Sequence, residues 1–271
     1  MNRLIKYSTL ATIALMLSTS ISQADEVKND HTEYAKHQTH TKHWGYMGEV
    51  GPKHWSEVNP VFDMCSEGKK QSPINVVASK DSDLEALNLN YTTGSKGVIN
   101  NGHTIQVNVE EGNVLKIGKL DYKLKQFHFH VPSENNINGN AFPLEIHFVH
   151  ATDEGQLAVV AVMFKEGKEH PVLAKIWKKL PTLTVGKEAK TLKKAKCKLS
   201  TEEIQALMPK DKAYYKFMGS LTTPPCSEGV KWHVYKEPLT ASKEQINTFF
   251  SLFGFPNNRP LQATNDRKIE E

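Results

Sequence analysis

Three histidines in this chain have the spacing of a metal site. Gln126-Phe127-His128-Phe129-His130 alternates polar and aromatic residues, the pattern of a half-buried strand. Strand side chains alternate between two faces, so His128 and His130 point the same way, about 6–7 Å apart along the strand. Two imidazoles at that separation can share one ion. Phe127 and Phe129 face the other side and can enter a core. A second alternating run, Glu145-Ile146-His147-Phe148-Val149-His150, follows after a loop. In an antiparallel hairpin it lies beside the first. If Glu145, His147 and Val149 share the site face, His150 looks away. His147 is therefore the third candidate ligand, and His150 reads as a structural histidine.

Three neutral nitrogens without a fourth protein ligand leave one position for water, which is the catalytic type of zinc site. Gln126 falls on the same face as His128, and Glu145 on that of His147. Each can accept a hydrogen bond from its neighbour's second ring nitrogen, fixing tautomer and orientation.

The elements that must position these residues are mostly strands. Alternation predicts them over 104–109, 113–117, 126–131 and 145–150. Residues 157–164 form a near-continuous apolar run, as in a strand buried on both faces. Helices are few and short. One is expected over 172–180. Two more follow capping-box pairs, Ser200 with Glu203 and Ser242 with Gln245, and Gly254 ends the last. The expected fold is mainly β, with peripheral short helices.

The chain has 271 residues, 38% hydrophobic and 24% charged, which suits a folded domain with a sizeable core. Its formal charge of +4 is too small and too dispersed for a nucleic-acid binder. The lysine-rich stretch from Lys187 to Lys198 lacks interleaved aromatics and reads as a solvated surface. Residues 1–24 have the three parts of a signal peptide: Arg3 and Lys6, an apolar core from Leu10 to Leu17, and small residues before a cut after Ala24. The apolar core is too short to span a bilayer. Residues 25–43 are polar and carry His31, His37, His40 and His43, a flexible arm preceding a single domain over 44–271. Export predicts oxidising surroundings, so one pair among Cys65, Cys197 and Cys226 is expected to bridge. A periplasmic or secreted product follows. The sequence is compatible with a homodimer.

The strand histidines sit in a longer set of ordered motifs. These are His43-Trp44-Gly45-Tyr46, Gln71-Ser72-Pro73-Ile74-Asn75, Asn100-Asn101-Gly102-His103-Thr104, Gly219-Ser220-Leu221-Thr222-Thr223-Pro224-Pro225-Cys226 and Asn257-Asn258-Arg259-Pro260-Leu261-Gln262. In this the chain resembles the α-carbonic anhydrases over about 220 residues. The resemblance implies a large, twisted, mostly antiparallel sheet of about ten strands. It implies a Zn2+ ion on His128, His130 and His147, and attack of zinc-bound hydroxide on carbon dioxide, giving bicarbonate and a proton. Thr222 matches the threonine that orients the hydroxide, and Glu134 the glutamate that takes the threonine's proton. His103 matches the proton shuttle, a role suited to a histidine titrating near 6.5. Thr223 matches a bicarbonate contact. Val149, Val159, Leu221, Val230 and Trp232 match the apolar wall beside the substrate. Cys65 and Cys226 match the disulfide of exported members, leaving Cys197 free. Cis bonds are implied at Ser72-Pro73 and Pro224-Pro225. Val131-Pro132, Thr104 and Gln106 depart from the common pattern. A cupin-type metal site is disfavoured because Tyr122 and Ala141 stand where that motif needs glycine.

Overall fold

The computed structural model describes residues 43–180, 193–195 and 197–271. The expected leader and all of the arm but His43 lie outside the described residues, as does most of the lysine-rich stretch. Thirteen strands are present among the described residues. They are β1 (Asn75–Val76), β2 (Asn88–Asn90), β3 (Ser95–Asn100), β4 (Ile105–Val109), β5 (Val114–Ile117), β6 (Leu120–His130), β7 (Asn136–Ile137), β8 (Leu144–Ala151), β9 (Leu157–Glu166), β10 (Lys193–Ala195), β11 (Tyr214–Ser220), β12 (Glu228–Tyr235) and β13 (Leu239–Ala241). Eleven form one sheet, in the order β10-β3-β4-β6-β8-β9-β12-β11, with β13 beside β9 and β2-β5 joined to β6. Pairing is antiparallel except where β12 and β13 meet β9. The sheet is thus mixed. A separate parallel ladder joins β1 and β7.

The helices α1 (Trp55–Val58), α2 (Met64–Glu67), α3 (Pro171–Trp177), α4 (Thr201–Gln205) and α5 (Lys243–Phe253) are short. Both expected capping boxes are formed, by Ser200 with Glu203 and by Ser242 with Gln245. Gly254 ends α5 at φ 73°, a left-handed position that costs glycine nothing. Among the described residues no helix is long and apolar enough to cross a membrane.

The sheet carries a core on each face. On one face Phe127, Phe129, Phe148 and Phe164 pack with Ile176, Ile204 and Phe249 of the helices. On the other, Val159, Val230 and Trp232 pack with Ile74 and Val76. β9 contributes to both, with Val160 and Val162 on the first face and Val159 and Ala161 on the second, as a doubly buried strand must.

β6 starts six residues before the expected strand, and the reason is a change of phase. Tyr122 and Leu124, at even positions, point into the helix-covered core, and so do Phe127 and Phe129, at odd ones. Between Leu124 and Gln126 the register with β8 slips. One extra residue in a strand exchanges its faces. The bulge thereby turns Gln126, His128 and His130 away from the core that Tyr122 and Leu124 enter. A single period-2 pattern cannot fit both halves, so only the second half is legible.

Candidate metal centre

β6 and β8 are antiparallel neighbours in the middle of the sheet, and His128 lies directly opposite His147. His130 lies opposite Glu145. The three imidazoles meet with ring centroids 5.0 Å apart for His128–His130, 5.4 Å for His128–His147 and 4.6 Å for His130–His147. One nitrogen from each falls within 4.8 Å of the others. His150, on the opposite parity, packs on the helix side and bonds the Tyr91 hydroxyl at 2.7 Å.

Every candidate ligand histidine is anchored at its far nitrogen. His128 Nδ1 donates to Gln126 Oε1 at 2.8 Å, and His147 Nε2 donates to Glu145 Oε1 at 2.8 Å. His130 Nδ1 donates to the Asn257 carbonyl at 2.7 Å, a partner 127 residues away. Each donation places the ring proton outward and leaves a lone pair facing the centre. His130 Nε2 is buried there without a hydrogen bond. Burial holds all three histidines below their ordinary pKa, and mutual repulsion adds to it at His128 and His147. They are neutral at pH 7, the state that binds metal.

Glu145 is itself held rigid. Its Oε2 accepts from the amides of Glu134 and Asn135 at 2.7 and 2.9 Å, and Oε1 from Asn135 Nδ2 at 2.8 Å. Glu134 is fully buried beside the histidines, with Oε2 3.4 Å from His130 Nε2. Its Oε1 accepts the Arg259 amide at 2.8 Å. Burial pushes its carboxyl up to about 8, against a lowering hydrogen bond from the Thr222 side chain. Oε2 has no other hydrogen-bond partner among the described residues.

Val159, Val230 and Trp232 are buried in one apolar cluster, with Val149 and Leu221 packed against it. The Trp232 ring stands edge-on to His147 at 4.9 Å. Thr222 is buried and Thr223 half-buried on the turn that follows β11. That turn is tied by Cys226 N to the Thr223 carbonyl and by the Cys65–Cys226 disulfide, which leaves Cys197 free and buried. The peptide bonds at Ser72-Pro73, Val131-Pro132 and Pro224-Pro225 are cis, the second being unexpected.

His103 lies beside the N-terminal aromatic residues. It follows an Asn100-Asn101-Gly102 turn whose Gly102 sits at φ 88°, and its amide bonds Asn101 Oδ1. Its ring is half-buried. It stacks on Trp44 at 3.8 Å and 10°, and its Nε2 lies 2.8 Å from His43 Nε2. Burial, and then His43, lowers its pKa to about 4 instead of the ordinary 6.5. Trp44 and His43 are about sixty residues away in sequence, so strand reasoning had no access to them.

Two further residues carry the centre and were quoted only as parts of a motif. Asn257 accepts from His130 through its carbonyl, while its side chain bonds the amide of Val131 and the carbonyls of Phe129 and His103. It therefore aligns the metal strand and the His103 turn together. Arg259 is 2% exposed. Its guanidinium donates to Gln71 Oε1, the Ser72 carbonyl and the Cys65 carbonyl, each at 2.8 Å, and lies over the Trp55 ring. Arg259→Met is expected to leave those three acceptors buried and unpaired, costing about 3 kcal/mol. Thermal unfolding should then fall by roughly 6–12 °C for a domain of this size. An unchanged midpoint would show that the guanidinium bonds are replaceable.

The model of eukaryotic-type carbonic anhydrases matches residues 50–271. A carbonic anhydrase of Pectobacterium atrosepticum is 44% identical over 259 residues, 95% of this chain and 97% of that protein. The α-carbonic anhydrase of Thermovibrio ammonificans, solved with the inhibitor sulfanilamide, superposes with a TM-score of 0.77 at 42% identity, over 84% of this chain and 99% of that one. The Photobacterium profundum α-carbonic anhydrase gives 0.76 at 43%, over 84% and 100%. With the fold, the histidine group and these likenesses in agreement, the chain belongs to the α-carbonic anhydrase family of enzymes.

Proposed function

We propose that the protein hydrates carbon dioxide reversibly to bicarbonate and a proton, with Zn2+ held by His128, His130 and His147. The observation that carries this reading is the lone-pair arrangement. Three neutral, buried imidazoles are each pinned from behind, and their free nitrogens converge within 4.8 Å. Zinc prefers such a nitrogen set, and a buried nitrogen without a partner, as at His130, is what an ion would satisfy. A bound zinc ion supplies water acidified to near-neutral pKa, chemistry for which carbonic anhydrase is itself the type case.

The protein's own groups do the rest. Thr222 directs its hydroxyl proton to Glu134, so its oxygen offers only lone pairs to the site. It therefore favours a nucleophile or ligand that carries a proton. The wall of Val149, Val159, Leu221, Val230 and Trp232 suits a small uncharged substrate that needs no cationic clamp. Thr223 is half-buried on the same turn, and in this reading it contacts the bicarbonate product. In its stack His103 is too weak a base to hold a proton at neutrality. Rotation off Trp44 and His43 into water restores its ordinary basicity, and that excursion carries the proton out. The disulfide and the bacterial relatives support export to the periplasm after removal of residues 1–24.

Stopped-flow carbon dioxide hydration on the zinc-loaded mature protein tests the reading. Absence of activity with one zinc per chain would overturn it. His103→Ala is expected to slow turnover about tenfold in dilute buffer, with recovery in concentrated imidazole. An identical buffer dependence would remove the shuttle role. His43→Ala should raise the pKa of His103, followed by its ring proton shifts, because a repelling neighbour is lost.

A further inference from the structure

His43 and His103 face each other nitrogen to nitrogen, Nε2 to Nε2, at 2.8 Å. Two lone pairs at that distance would repel, so one ring donates an N–H and the other accepts it. The contact is a hydrogen bond between two bases of the same kind, and a proton can pass along it. His103 is half-buried, whereas His43 is exposed.

Both rings are held from behind. His43 precedes Trp44, whose ring lies flat on His103 at 3.8 Å and stands edge-on to Trp55 and Tyr46 at 5.5 and 5.7 Å. Trp55 is fully buried, and its Nε1 donates to the Gly45 carbonyl at 2.8 Å. This fixes the backbone two residues beyond His43. On the other side, Asn101 Oδ1 accepts the amides of His103 and Thr104. Asn257 Nδ2 donates to the His103 carbonyl at 3.0 Å, while the Asn257 carbonyl holds His130. The contact thus joins a turn braced to the histidine centre with an exposed ring. None of these anchors uses the His43 imidazole.

A proton carrier must load and unload, and the two tasks call for opposite basicities. Turned into water, His103 is basic enough to load. In the stack it is a weak base, because burial, and then His43, lowers its pKa to about 4. A protonated His103 that returns to the stack is therefore driven to give its proton up. The base that its Nε2 meets there is His43 Nε2. Water reaches His43 and stabilises its charged form.

We propose that His43 is the outlet of the proton path, taking the proton from His103 Nε2 and releasing it to buffer. The proposal rests on the reading of His103 as the carrier. His103 returns to the stack with protons on both ring nitrogens. Its Nε2–H bond breaks as the proton joins the lone pair of His43 Nε2. His103 is left neutral with its Nδ1 proton, and His43 becomes the cation. His43 then gives its Nδ1 proton to a buffer base. While His103 is turned away, exchange with water returns His43 to the tautomer with a free Nε2.

His43→Gln keeps a polar side chain and cannot carry a proton. In the zinc-loaded protein and dilute buffer, it is expected to lower kcat for carbon dioxide hydration about threefold. The ratio kcat/KM should be unchanged, because the proton leaves after bicarbonate has formed. Concentrated imidazole should restore kcat. Added to His103→Ala, the same change should have no further effect, since His43 acts only through His103. With an active parent protein, an unchanged kcat in dilute buffer would overturn the outlet. A lower kcat/KM or a further loss in the double variant would overturn it too. An inactive parent protein would instead overturn the carbon dioxide reading. Nitrogen-15 shifts of the two rings test the contact without turnover: they should titrate as a linked pair, and two independent titrations would overturn it.

Discussion

His130→Ala is expected to lose zinc and to lower carbon dioxide hydration by at least about a thousandfold, roughly 4 kcal/mol of barrier. His130 is the innermost of the three candidate ligands, 1% exposed, and its second nitrogen is bonded to the Asn257 carbonyl. Alanine removes one of three nitrogens from the set and leaves that carbonyl without its donor. Two imidazoles then remain where a tetrahedral ion needs three protein nitrogens. The informative control is His150→Asn. His150 is buried on the same pair of strands but points to the other face, where Tyr91 is its partner. That variant should lose stability and keep one zinc per chain. Metal analysis with stopped-flow hydration checks both arms. Wild-type zinc affinity in His130→Ala would remove the proposed centre.

The double change Cys65→Ser/Cys226→Ser is expected to cost about 4–5 kcal/mol, the upper part of the range for disulfides. The bridge closes a sequence separation of 161 residues, so it removes much freedom from the unfolded chain. It also acts locally. Cys226 sits at φ 58°, a left-handed conformation that costs a non-glycine residue roughly 1–2 kcal/mol. The bridge, the Thr223 carbonyl and the Gln71 side chain hold it there. Thr222 and Thr223 lie on the same turn, whereas none of the histidines does. Turnover should therefore drop a few-fold while zinc content stays unchanged. The unfolding midpoint should fall by roughly 10–20 °C. A midpoint insensitive to the double change would exclude the chain-entropy account.

Much of the architecture was written in short-range patterns. The alternation over β4 and β8, the continuous apolar run of β9, the capping boxes of α4 and α5, and Gly254 at the end of α5 all depend on neighbours a few residues apart. So does the parity argument that separates His147 from His150, because strand geometry fixes which side chains share a face. Strand β3 and the first half of β6 were not assigned. The reason at β6 is visible: the bulge after Leu124 reverses the faces, and a reversed alternation does not read as one strand. β11 and β12 were read only as parts of motifs.

By itself the sequence determined the three convergent histidines, Gln126 and Glu145 behind two of them, and the general character of the sheet. These follow from a period of two and from the proton chemistry of imidazole. Tertiary structure alone decided the partner of the third histidine, because Asn257 reaches His130 from the far end of the chain. It decided that Arg259 ties together Cys65, Gln71 and Ser72. It also decided that His103 rests as a weak base, since desolvation is a property of what packs around a ring. Trp44 and His43 come to that ring only when the chain folds.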